Sequence, residues 1–98
     1  MTTEQRIYDG NRAKEVLENE AFVAAFEAIE NEVIEQWKNS PARDAEGREK
    51  LWQYRTLLQK VRTHLTTTME SGKLAQIDLT RRQGVVERLR AGMSSWGE

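Results

Sequence analysis

The positions of the helix breakers constrain this chain more than any other feature. No glycine or proline lies between Gly10 and Pro41, and none lies between Gly47 and Gly72. Only these two stretches have room for long helices. The first carries Phe22, Phe26, Ile29, Val33 and Trp37 in steps of 4, 3, 4 and 4. That spacing is one face of an α-helix, with Glu27, Glu30, Glu32 and Glu35 off it and Val23, Ala25 and Ile34 widening it. The second carries Leu51, Tyr54, Leu58, Val61, Leu65 and Met69 in steps of 3, 4, 3, 4 and 4. The fold class is therefore all-α, an antiparallel helical hairpin with helices over about 20–39 and 44–71 and short flanking helices.

The helix ends carry their own signals. Ser40 before Pro41, or Asp44 before Ala45, can open the second long helix, since both side chains accept the free N–H groups of a first turn. Gly72 suits the left-handed position past a helix end, with Leu74 folding back on the last turn. Asn11 can cap a short helix holding Ala13, Val16 and Leu17, and the step from Leu17 to Phe22 breaks phase, which predicts a kink or new start near Asn19. Leu74, Ile77 and Leu79 read as a connector, and Thr80 as the cap of a last helix with Val85, Val86 and Leu89. The chain thus divides into a tail over 1–10, a hairpin core over 11–72 and a basic segment over 73–98, all within one domain.

A short connection makes consecutive helices antiparallel neighbours. One register pairs Phe26 with Leu58, Val33 with Leu51, Ile29 with Tyr54 and Phe22 with Val61, and sets Trp37 opposite Gly47. The expected hairpin core is Phe22, Phe26, Ile29, Val33, Trp37, Leu51, Tyr54, Leu58, Val61 and Leu65. Two amphipathic helices leave each stripe an open flank, and the widened stripe around Phe22, Val23, Phe26, Ile34 and Trp37 exceeds what one facing helix covers. Self-association into a larger bundle, or docking on a larger assembly, would cover it. The flanking segments around Val16–Leu17 and Val85–Leu89 are the alternative cover, from within the chain.

Composition excludes several function classes. The chain has 98 residues and no cysteine, so neither disulfides nor a cysteine zinc site can form. No apolar run approaches the roughly 20 residues that span a bilayer, and no signal-peptide core follows Met1. The formal net charge is −1, which offers no general argument for a nucleic-acid partner. Residues 1–40 hold 9 acidic and 4 basic side chains, and residues 41–98 hold 7 and 11. An acidic helix set against a basic one favours their pairing.

No constellation for chemistry emerges, and neither a catalytic residue, a metal nor a cofactor is expected. His64, the single histidine, stands one residue before the core position Leu65 without a nucleophile or acid in a recognisable local motif. Asp44, Glu46 and Glu49 surround Gly47, but a calcium loop needs its glycine at the sixth position and a glutamate at the twelfth, where Arg55 stands. Arg81, Arg82, Arg88 and Arg90 form the densest basic cluster, with Trp96 nearby. Arginines at helical spacing can neutralise phosphates and a tryptophan can stack on a base. A solvated or partner-facing helix explains the same residues.

One stretch resembles a known group. Asn-Glu-Ala-Phe at 19–22, Trp37, Ser-Pro-Ala-Arg-Asp at 40–44, Glu-Gly-Arg-Glu-Lys-Leu-Trp at 46–52 and Glu-Ser-Gly-Lys-Leu-Ala at 70–75 follow one another in order. This pattern resembles small helical proteins of tailed bacteriophages and prophages encoded among head and packaging genes. The likeness spans residues 19–75 and carries no catalytic motif. It implies a virion or capsid-assembly component, in the virion or the host cytoplasm, that oligomerises or docks on a larger assembly. Two alternatives stand beside it: a phage inhibitor of host defence, acting as a protein blocker or as an oligomer that sequesters a nucleotide signal, and a packaging factor that binds DNA through the C-terminal arginines. An enzyme is not expected.

Overall fold

The computed structural model describes residues 1–96, with side chains through residue 93. The described residues are all-α, in three helices: α1 (Thr3–Glu18), α2 (Glu20–Asn39) and α3 (Ala45–Trp96). The Thr2 hydroxyl accepts from the Gln5 amide at 3.0 Å and starts α1. Asn19 breaks the phase as the step from Leu17 to Phe22 requires. It leaves the helical region, and its side chain accepts from the Phe22 amide at 2.9 Å to start α2. Ser40 closes α2 by donating through its hydroxyl to the Trp37 carbonyl, Pro41 follows, and the Asp44 carboxylate accepts from the Gly47 amide at 3.1 Å to start α3. Of the two expected openings for the second long helix, Asp44 is the one used.

Residues along α1 and α2 meet partners in descending order along α3. Gly10 meets Gly72, Glu30 meets Arg62, and Trp37 meets Arg48. The first two helices therefore run end to end and antiparallel to the third. Fifty-two residues of α3 rise about 78 Å at 1.5 Å each, which accounts for most of the 84 Å long axis of a body 84 × 24 × 17 Å. The radius of gyration, 22.8 Å, is well above the roughly 13 Å of a compact chain this long. Among the described residues the buried hydrophobic ones are accordingly few: Ala13, Phe26 and Ala75.

Several expectations fail here, for identifiable reasons. Residues 1–10 are not a tail, because Thr2 caps a helix that runs through Gly10 and leaves Asn11 inside it. Gly72 does not end a helix, and neither a connector over 73–79 nor a Thr80 cap exists. No described glycine has positive φ. Gly72 is instead the point of closest approach between α1 and α3, where a Cβ on it would lie 2.8 Å from the Gly10 Cα and 2.9 Å from the Arg6 carbonyl oxygen. Arg6 bridges the crossing, donating to the Ser71 hydroxyl at 3.0 Å and to its carbonyl at 3.1 Å. Inside α3, Thr66, Thr68 and Thr80 turn their hydroxyls onto carbonyls four residues back: Thr66 to Arg62, Thr68 to His64 and Thr80 to Gln76. The basic segment over 73–98 is thus, through Trp96, the second half of one helix, and Val85–Leu89 does not fold back to cover the α2 stripe.

Candidate interaction surface

The α2–α3 seam is built differently from the expected register. Phe26 is buried, while Phe22, Val33, Leu51, Leu58 and Leu65 are half-buried. Ile29, Trp37, Tyr54 and Val61 are exposed within the chain, Tyr54 at 55%, so these four are not core residues of one copy. Arginines take the place beside the seam. The Arg62 guanidinium lies 4.6 Å over the Phe26 ring and 2.9 Å from Glu30 Oε1. Arg48 lies 4.2 Å over the Trp37 ring and donates to the Trp37 carbonyl at 3.2 Å and to the Ser40 hydroxyl at 2.9 Å. Trp37 therefore faces Arg48, and the space at Gly47 is taken by its own cap, Asp44.

Arg48, Arg55 and Arg62 recur every seventh residue, which keeps them on one edge of α3. A flat, weakly hydrated guanidinium can lie on an aromatic face while its charge reaches water. This rotates the face of α3 that meets α2 toward the arginines and leaves Tyr54 and Val61 on the open flank. The period was present in the sequence, but apolar spacing alone does not register it.

Three surfaces remain apolar and open. Val33 and Leu51, matched in the sequence register, line one cavity of about 360 Å³ with Ile34, Trp37, Trp52 and Arg55. Tyr54, Leu57 and Val61 form an exposed row on α3. The third surface is the free end of α3. With Gly10 beside Gly72, the start of α1 lies level with about residue 79, and the last turns of α3 project beyond it by about 25 Å. Leu89 there is 62% exposed and Met93 74%, and a Cβ on Gly92 would meet nothing within 4 Å.

The arginines near this end do not make one face. Arg81 and Arg88 share a side at seven-residue spacing, Arg82 pairs with Asp78 at 2.8 Å, and Arg90 lies two residues beyond Arg88, round the far side. The Trp96 side chain lies outside the described residues. His64 is exposed on a shallow surface with Thr56, Lys60, Thr63 and Thr67. Among the described residues no three His, Asp or Glu side chains gather closely enough to hold a metal ion, and no helix is long and apolar enough to cross a membrane. No protein-family model, curated protein or solved structure matches the chain.

Proposed function

We propose that this chain is a small, non-catalytic structural protein that works by helix-mediated contact with other protein, as a phage virion or capsid-assembly component. The observation supporting the reading is the mismatch between apolar content and cover. Leu57, Leu74, Leu89 and Met93 are each at least 60% exposed on a body only two helices thick. Each such side chain forgoes part of the roughly 1.5–3 kcal/mol that full burial supplies, and contiguous apolar rows mark interaction surfaces. The resemblance of residues 19–75 to small proteins of phage head and packaging genes supplies the setting.

Mass spectrometry of purified particles and their assembly precursors tests it. Recovery of the chain in either fraction at many copies per particle is expected. Absence from both would contradict the assignment.

A further inference from the structure

Of the three arginines spaced by seven along α3, only the outer two find partners on α2. Arg62 pairs with Glu30 at 2.9 Å, and Arg48 donates to the Trp37 carbonyl and the Ser40 hydroxyl. Between those contacts α2 presents Val33 and Ile34, which line the cavity of about 360 Å³ together with Leu51, Trp52 and Arg55. Neither can receive a charge. The helix that carries Arg55 offers no acid either, since Leu51, Trp52, Leu58 and Gln59 stand three and four residues to either side. Arg55 is half-buried, its guanidinium 5.4 Å from the centre of the Trp52 ring, and it has no ion pair among the described residues. Lys38 is a second cation on the lining, and no carboxylate lines the cavity. Glu35, one turn before Lys38, is exposed and pairs with neither cation.

We propose that this cleft between α2 and α3 takes a segment of a partner protein in which a large apolar side chain is flanked by aspartate or glutamate. This rests on the reading of the chain as a protein that works by contact with other protein, and it names the surface and the partner's chemistry. The apolar side chain enters beside Val33, Ile34 and Leu51, against the exposed Trp52 ring. The neighbouring carboxylate accepts from Arg55, whose planar fork matches both oxygens, and Lys38 adds a solvated contact. Because Arg55 is half-buried, water and salt screen its charge less than that of a surface cation.

Charge and chemistry select this occupant. Residues 30–56 hold 6 acidic and 5 basic side chains, so a polyanion such as nucleic acid would meet as much repulsion as attraction around the cleft. The edge of a base would also need amide or hydroxyl partners, and no lining side chain supplies one. The chain does not cover the cleft itself, because α1 crosses α3 at Gly72, about 25 Å along the helix from Arg55. One apolar anchor with one carboxylate satisfies both the apolar lining and the unpaired cations.

Selection of a random peptide library against the immobilised full chain, followed by titration of the enriched synthetic peptides with tryptophan fluorescence as the readout, tests the proposal. The enriched sequences are expected to set Phe, Trp or Leu beside Asp or Glu, to bind more weakly as salt is added, and to bind Arg55→Gln about tenfold more weakly than the wild type. Arg55 holds no ion pair within the chain, so the variant is expected to keep the helical signal. Lys38→Gln, at an exposed position, is expected to weaken binding about threefold and decides the matter if Arg55→Gln does not fold. No enrichment, enriched peptides without an acidic residue, or equal affinity for the folded variants overturns the proposal. Quenching by a single-stranded oligodeoxynucleotide that Arg55→Gln abolishes overturns it as well, and assigns the cleft to nucleic acid. Failure here leaves the assembly reading to the particle mass spectrometry, and absence of the chain from particles leaves the peptide affinities to stand.

Discussion

Gly10 and Gly72 meet backbone to backbone where α1 crosses α3, close enough that a Cβ added to Gly10 would lie 2.7 Å from the Gly72 Cα. Ala13 and Ala75, each three residues further along its own helix and so on opposite sides of the crossing, are buried as well. Small residues let the backbones approach, and Arg6 fastens the crossing through Ser71.

The same substitution should therefore have opposite effects at two glycines of one helix. Gly72→Ala forces the helices apart, at a cost of about 1–3 kcal/mol from overpacking that outweighs the helix propensity gained. Gly84→Ala meets only the mobile end of Arg88 at 4.0 Å and should stabilise its segment by up to about 1 kcal/mol. Thermal unfolding of the first and amide hydrogen exchange over residues 80–90 of the second measure the two signs.

Phe26 is 7% exposed, the most buried large side chain of the seam, and packs against Phe22 with the rings tilted at 38° and their centroids 5.6 Å apart. Phe26→Ala should cost about 3 kcal/mol. Tyr54→Ala, under conditions where the chain is a monomer, should cost less than about 1 kcal/mol. Urea unfolding of both variants decides whether the arginine-edged seam is the correct register.

Arg62 covers Phe26 and neutralises Glu30. Removing it leaves the Glu30 Oε1 atom, which is buried and has no partner besides this ion pair, without its counter-charge. Arg62→Ala is expected to lose about 1–2 kcal/mol, and Arg62→Lys to recover less than half, because an ammonium cannot lie flat on the ring. Double-mutant unfolding with Glu30→Gln separates the charge contribution from the stacking.

His64 makes no side-chain contact that the seam needs and sits on an open surface. His64→Ala should change stability by less than about 0.5 kcal/mol and leave assembly intact. A folded variant defective in assembly would assign His64 a role in contact with the partner.

The sequence carried the helix bounds better than the packing. The breaker-free stretch and the capping chemistry of Asn19, Ser40 and Asp44 are local, so α2 and both of its ends were legible. Gly72 was not, because a glycine before a connector and a glycine at a helix crossing look alike until the partner backbone at Gly10 is known. Reading Gly72 as an end in turn hid the continuity of α3, and with it the projecting end. Ile29, Trp37, Tyr54 and Val61 shared the apolar period with the core, but long flat arginines displaced the contact face by part of a turn. Apolar period identifies a face of a helix. It does not identify which edge of that face the neighbour occupies.

Small-angle scattering of the full chain tests the account most directly, because α1 and α2 laid end to end along one 52-residue helix give a length that a compact bundle of 98 residues does not reach. The account predicts a maximum dimension no smaller than the 84 Å of one chain. A compact particle with a radius of gyration of roughly 13 Å in place of 22.8 Å would contradict it.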